Sequence, residues 1–449
     1  MAQKLFRDSL YDYITIDLNK HRWLLELINT PEVQRLRHIS QLGLSQFTYL
    51  GSVHSRLSHS MGVFHLMGIW LSYLERDYGT YFEDGDKDAL LAASLLHDIG
   101  HGPFSHATEN FFGDHVMRST RIILDPQSSI NKVLRSVNAE LPGKVAGLIA
   151  KQLPEGAVQP RLWQKALISS QLDADRLDFL RRDSLFSGAE YGNFDWNRII
   201  HTTCLKKYPG DIQRTSLFWP DKTKYAIEEY LFSRFYMYQS VYFHHTTRGF
   251  EKLLLKILER AKQLAIKDSC FANKIFPSLK VFFEKNQEIS SAEFLTLTDY
   301  VLLAQITEWK QAEDSVLQDL VNMLFIRGDK VGFKVAYEFA EKTSMMITDF
   351  FDTKLSSAKE CLQKNKLDPD YYLLSDECCA TVYEPYSPEP ETEEMSSENA
   401  IQLAKDSSGD VLKEISRELT RLQQIATKSR TIRYYCPYKY KEKISNILK

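Results

Sequence analysis

Apolar and polar positions along this chain repeat mostly at helical spacing. Residues 62–74 (GVFHLMGIWLSYL), 224–265 and 296–325 carry apolar side chains three and four apart, which predicts helices with one buried face. The apolar segment from Ala89 to Leu96 predicts a helix buried all round. Asn29-Thr30-Pro31-Glu32 reads as a helix start: a capping residue, proline in the first turn, then an acid. Strand alternation is scarce, with short strands expected near 11–17 (YDYITID) and 431–436 (TIRYYC). Leu412, Ile415, Leu419, Leu422 and Ile425 fit one face of a late helix. The expected fold class is mainly α, with a few short strands.

Composition sharpens this reading at three points. The 19 glycines and 14 prolines among 449 residues are few, as a helical chain requires. Residues 367–404 hold no Lys or Arg, and 384–398 (EPYSPEPETEEMSSE) carries three prolines and six glutamates, the composition of a flexible acidic connector. All 12 histidines lie between His21 and His245, so histidine chemistry belongs to the first half of the chain.

Charge and cysteine usage exclude more than they assign. A formal net charge of -3 gives no bulk signal for a nucleic-acid or membrane partner. The six cysteines form no C-x-x-C pair and read as free thiols in a reducing compartment. No run of 18 apolar residues occurs and the N-terminus has no apolar leader, so a soluble, cytoplasmic protein without membrane partners is expected.

The chemistry concentrates in residues 97–106, HDIGHGPFSH. His97 and Asp98 are adjacent and diverge by about 100° on a helix, so they meet one ion only at a helix end. Gly100, Gly102 and Pro103 then turn the chain and bring His101 and His106 toward the same place. A lone histidine is more often a satisfied core residue; three with an aspartate in ten residues point to a metal. Imidazole and carboxylate donors suit Mn, Fe, Ni, Co or Zn, and the lack of a cysteine-rich group speaks against structural zinc.

These residues resemble the HD-domain superfamily, whose pattern is H…HD…D, from about Phe6 to about Leu264. Within it the chain is similar to the deoxynucleoside triphosphate triphosphohydrolases. Four motifs carry the resemblance: 31–62, with R-L-R, Q-L-G and R-x-x-H-S-x-G; HDIGHGPFSH; 172–184 (LDADRLDFLRRDS); and 233–245 (SRFYMYQSVYFHH). The resemblance implies an HD-type helical bundle with one divalent transition metal per subunit, held by His59, His97, Asp98 and Asp175. It implies catalytic roles for His101, His106, Glu109 and His115. It implies substrate contacts by Gln41 and Leu42 (sugar and base), Arg56, Arg176 and Arg234 (phosphates), Asp183 (a sugar hydroxyl), Tyr242, His244 and His245. The implied reaction is attack of metal-activated water on the α-phosphorus of a dNTP, giving deoxynucleoside and inorganic triphosphate, with Mg accompanying the triphosphate. A homodimer or homotetramer is also implied. The domains expected are 1–265 (HD-type catalytic), 266–383 (helical), 384–405 (acidic connector) and 406–449 (C-terminal helix and basic, tyrosine-rich tail).

The motifs also depart from that family. Phe179 stands where tyrosine is usual, which leaves the choice of deoxyribose to Gln41, Asp183 and packing. Val116 follows His115 where a glutamate is common. Asn29 replaces an aspartate that reads guanine at an activator site, although Gln34 and Arg37 match there. On spacing alone Asp178 and Arg181 read as ordinary helix-face ion pairs, and Tyr242 as packing or contact equally. His21, His38, His54, His65 and His201 read as structural or surface residues. Other readings stay open: a different HD phosphohydrolase (nucleoside monophosphate phosphatase or nucleic-acid phosphodiesterase), a nucleotide effector, and single-stranded nucleic acid bound by the tail 428–443.

Overall fold

The computed structural model describes the chain except residues 1, 209, 286–287, 327–331, 341–345, 381–382, 384–399 and 427–428. The acidic segment 384–398 thus lies outside the described residues. The described residues are predominantly helical, as the spacing predicts. None of their helices is long and apolar enough to cross a membrane.

Helix Arg56–Tyr78 is the central beam. Ser55 starts it by accepting from the Ser58 backbone N–H. Its buried stripe packs on helices Asp86–Leu96 and Ala174–Ser187. In Asp86–Leu96 every residue from Ala89 to Leu96 is buried, so it runs through the middle of the layer. Asp173 caps the third helix by accepting from the Arg176 N–H at 2.8 Å, which fixes Asp175 in its first turn.

Two glycines permit these helices to close. A Cβ on Gly62 would run into the Asp178 carboxylate and the Arg182 guanidinium across the helix pair. A Cβ on Gly100 would strike the His115 carbonyl and Ser119, where the turn after Asp98 crosses helix His115–Leu124. The glycines of the two motifs are therefore close-approach points between backbone and neighbour.

Among the described residues, strands form three small sheets. The hairpin Gln3–Asp8 with Asp12–Asp17 pairs Gln3 with Asp17. A four-stranded sheet runs Cys204–Tyr208, Asp211–Pro220, Gln402–Ala404, Leu412–Glu414. In the third, Ser429–Pro437 lies between Phe333–Ala340 and Leu374–Ala380, all antiparallel. The expected strands near 11–17 and 431–436 are both present. One apolar cluster extends from Ile14 to Leu448, and the chain passes residue 265 inside helix His245–Lys267.

Three helical readings are corrected. Residues 224–265 break at the π-turn Tyr238–Tyr242, before helix His245–Lys267. Residues 296–325 break between Trp309 and Asp314, whose carboxylate caps a new helix at Leu317. The apolar series from Leu412 is not one helix. Leu412 lies in a strand paired with Ala404, Ile415 begins a four-residue helix, and Leu419 turns the chain into helix Thr420–Ala426. The same apolar positions serve three short elements, because edge pairing with Gln402–Ala404 claims Leu412–Glu414 first.

Gly62→Ala tests the closeness of this packing. Helix propensity alone favours alanine by about 1 kcal/mol. The collision with Asp178 and Arg182 is expected to outweigh it, leaving the metal-free protein about 1–3 kcal/mol less stable in chemical denaturation. An unchanged or raised midpoint would contradict the packing described.

Candidate metal centre and catalytic cleft

His59, His97 and Asp175 converge from the three central helices. His59 Nε2 stands 3.2 Å from His97 Nε2 and 3.0 Å from Asp175 Oδ1. Both rings are oriented from behind. His59 Nδ1 donates to Asp178 Oδ1 at 2.8 Å, and His97 Nδ1 donates to the Ser94 carbonyl at 2.9 Å. Each Nδ1 therefore carries a proton and the two Nε2 atoms face one another, so that in the neutral rings their lone pairs oppose. That arrangement repels unless a positive charge lies between them, and the donor set suits a divalent transition ion. Asp98 lies beside it, 3.5 Å from His97 Nε2 and 3.7 Å from His59 Nε2, its carboxylate gripped by Arg56.

The local electrostatics agree. Burial opposes charge on His59, but Asp175 and Asp178 outweigh it and raise its pKa to about 10. His97 is also raised: burial is overcome by Asp98 and Asp175. Asp175 is held below the ordinary carboxylate range, its burial outweighed by His59 and His97. Asp178 is held low against burial by Arg182 and His59. Arg182 Nε and Nη2 reach Asp178 at 2.8 and 3.0 Å, and its Nη1 reaches Asp8 of the N-terminal hairpin at 2.9 Å. Asp178 is thus in an ion pair, as its spacing suggests, but the pair is buried and aims a ligand.

A second histidine group borders the first. Among the described residues, His101, His106 and His115 are the other set close enough to share an ion. Glu109 accepts from Nδ1 of His106 at 2.9 Å and of His115 at 2.5 Å, leaving both Nε2 atoms bare. Burial is outweighed by these two contacts, and Glu109 stays ionised well below its usual range. His101 Nε2 is buried without a hydrogen-bond partner, 3.3 Å from Asp98 Oδ1. Burial, reinforced by Arg56 and His115, keeps His101 neutral. This set places His101, kept neutral, beside two imidazoles oriented by Glu109 and a nearby guanidinium, which suits proton transfer and an anion.

A cleft of about 380 Å³ joins both groups. Gln41, Leu42, Arg56, Asp183 and Tyr242 line it together with His59, Asp98, Asp175 and the three histidines of the second group, while His97 lies behind the lining. The Gln41 side-chain oxygen is buried and unpartnered. Asp183 accepts from His54 Nε2 at 2.8 Å and from the Tyr242 hydroxyl at 2.9 Å. Arg176, Arg234, His244 and His245 are not among its lining. Arg176 pairs with Asp173, Arg234 Nη1 donates to Gln171 at 2.8 Å, and His244 stacks on His245 at 4.6 Å. A wider groove along helix His115–Leu124 contains neither histidine group.

Sequence reasoning missed several residues. His54, read as structural or surface, is buried and orients Asp183. Arg248 and Glu251 line the cleft; Arg248 bridges Glu251 at 2.7 Å and Asp376 at 2.6 Å. Asp376 comes from the C-terminal sheet, so its sequence separation hid the contact. For His54 no local signal existed.

The HD-domain model matches residues 56–180, and a model of the HD-associated region matches residues 194–276. An uncharacterized protein, YwfO, of Bacillus subtilis (strain 168) is 32% identical over 429 residues, covering 96% of this chain and 90% of its own. The chain belongs to the HD-domain family. A phosphohydrolase of Bacteroides thetaiotaomicron VPI-5482 superposes with a TM-score of 0.74 at 26% identity, covering 97% of this chain and 100% of that one. The deoxynucleoside triphosphate triphosphohydrolase SAMHD1 of Danio rerio is 29% identical over 226 residues, 44% of this chain and 36% of its own length. HD-domain membership makes the chain a metal-dependent phosphohydrolase by family, and the opposed Nε2 atoms fit such a metal.

Two measurements follow. The ion must displace the proton that the metal-free site holds on His59, whose pKa is about 10. Metal affinity is therefore expected to rise by about tenfold per pH unit while His59 alone stays protonated, and more steeply where His97, also raised, is protonated too; a flat titration would contradict the site. Asp178→Asn is expected to weaken metal binding about 10–100-fold in equilibrium dialysis, although Asp178 is not a ligand.

Proposed function

We propose that the chain hydrolyses deoxynucleoside triphosphates to deoxynucleoside and inorganic triphosphate. The observation that supports this best is the shared cleft. It joins a His/Asp metal cluster, a Glu109-oriented pair of histidines and a pocket edged by Gln41, Asp183 and Tyr242. The similarity to SAMHD1 over 44% of the chain points the same way.

In this reading His59, His97, Asp98 and Asp175 hold one Mn, Fe, Ni, Co or Zn ion. When bound, it supplies Lewis acidity toward a phosphoryl oxygen and makes a coordinated water more acidic. The protein does the rest. Arg56 faces the α-phosphate, and Arg176 and Arg234 supply charge toward the outer phosphates, which arrive with Mg. Loss of the 5′-oxygen as an alkoxide is unfavourable near neutrality, so a proton must reach it. His106 takes up on its bare Nε2 the proton released by the attacking water and passes it to that oxygen, while Glu109 fixes its ring through Nδ1 and stabilises the transient charged form. His115 shares Glu109 and holds that carboxylate in place. His101 stays neutral and faces a phosphate oxygen. Asp183, held by His54 and Tyr242, accepts from a sugar hydroxyl, and Gln41 and Leu42 border the sugar and base. His244 and His245, adjacent in sequence to the lining residue Phe243, serve as outer contacts in this reading. Dimeric or tetrameric assembly belongs to the same reading, and sedimentation tests it.

One observation favours a different HD phosphohydrolase acting on a single phosphate: Arg176 and Arg234 lie outside the cleft lining and are engaged by Asp173 and Gln171. Product analysis separates the two. Metal-loaded protein incubated with each dNTP is expected to release intact triphosphate. Release of pyrophosphate or single phosphates would sink the triphosphohydrolase reading. His106→Ala is expected to lower kcat by about 10²–10⁴-fold with metal content unchanged.

A further inference from the structure

The turn that carries the second histidine group is strained. Phe104 and Ser105 both adopt left-handed backbone, with φ of 58° and 56°, which non-glycine residues reach only when their surroundings hold them there. The holding groups come from a segment some two hundred residues away. Asp299, in the first turn of helix Asp299–Glu308, is buried. Its Oδ1 accepts from the Phe104 N–H at 2.7 Å, and its Oδ2 from the Ser40 N–H at 2.8 Å.

The same segment takes a second grip through Arg35. Its Nε and Nη2 donate to the Leu297 carbonyl at 2.9 and 2.5 Å, and its Nη1 donates to the His101 carbonyl at 2.8 Å. Residues 101–104 are thus tied at both ends to Leu297 and Asp299. These residues lie beyond both matched family regions, which end at 180 and 276.

The ties continue into the cleft. The Ser40 carbonyl accepts from the Ser105 hydroxyl at 2.7 Å, Ser105 Oγ accepts from Arg56 Nε at 2.7 Å, and Arg56 grips Asp98. One carboxylate therefore sets two backbone segments, which set a serine, an arginine and a metal-site aspartate in turn. We infer that Asp299 is a positioning residue that clamps the catalytic turn and holds Ser105, Arg56 and Asp98 in working register.

The inference rests on reading residues 97–106 as catalytic, and its test is built to fail separately. Asp299→Asn keeps the volume but turns an NH2 group toward one of the two backbone N–H donors. Asp314→Asn is the control: Asp314 caps Leu317 and pairs with Arg260 in the same region without touching the turn. In Asp299→Asn, hydrogen exchange at the Ser40 and Phe104 amides is expected to quicken about tenfold or more. Its kcat is expected to fall about tenfold or more with KM within about threefold, since misplaced groups cost turnover rather than binding. Asp314→Asn should change neither, at a matched loss of melting temperature. Folded Asp299→Asn with unchanged exchange and kcat would overturn the inference, as would equal losses in Asp314→Asn. Should Asp299→Asn not fold, Asp299→Ser, which is too short to hold both the Ser40 and Phe104 amides, carries the same expectations. The exchange arm needs no substrate, so a wild type inert toward dNTPs would defeat the proposed reaction and leave the clamp to be judged on its own.

Discussion

Two imidazole nitrogens 3.2 Å apart, with lone pairs aimed at each other, organise this protein. Their Nδ1 protons are committed to Asp178 and to the Ser94 carbonyl, so neither ring, while neutral, is able to turn a donor inward without losing a buried hydrogen bond. The surplus of lone pairs and carboxylates demands positive charge. A proton satisfies it in the metal-free protein, which explains the raised affinity of His59 for one. A divalent ion satisfies it better, because it engages several donors at once.

The rest of the structure keeps that unfavourable arrangement in place. His59, His97 and Asp175 come from three separate helices or helix ends, and the first and third close on one another through Gly62, where a single methyl would displace Asp178. Arg182 joins Asp178 to Asp8, so the N-terminal hairpin supports the metal centre from outside. On the opposite side, Arg56 balances Asp98, and the Asp299 and Arg35 ties fix the strained turn. The cost of assembling like charges and strained backbone is met by burial around them, since one apolar cluster runs from Ile14 to Leu448.

What could be read from the sequence was what is local. HDIGHGPFSH places helix, break and four chemical side chains within ten residues, and helix Asp86–Leu96 ends where the apolar run ends. The strands around 12–17 and 429–437 alternate visibly. The misses have a shared cause in sequence distance. Asp178 read as an ordinary helix-face ion pair, which it makes with Arg182, but its second partner His59 lies 119 positions away. Asp376 reaches Arg248 across 128 positions, and Asp299 reaches Phe104 across 195. Leu412 kept a helical period that strand pairing overrode, since a remote edge offered backbone partners that periodicity does not encode. Arg176 and Arg234 were nominated by motif position, and side-chain direction placed them outside the cleft lining.

The central claim is that the opposed nitrogens bind the ion. Anomalous X-ray scattering from crystals of the metal-loaded chain, recorded at the absorption edge of the ion, tests it most directly. The account predicts one strong peak about 2.0–2.3 Å from His59 Nε2, His97 Nε2 and an Asp175 oxygen. A peak among His101, His106 and His115 instead, or none between His59 and His97, would contradict it.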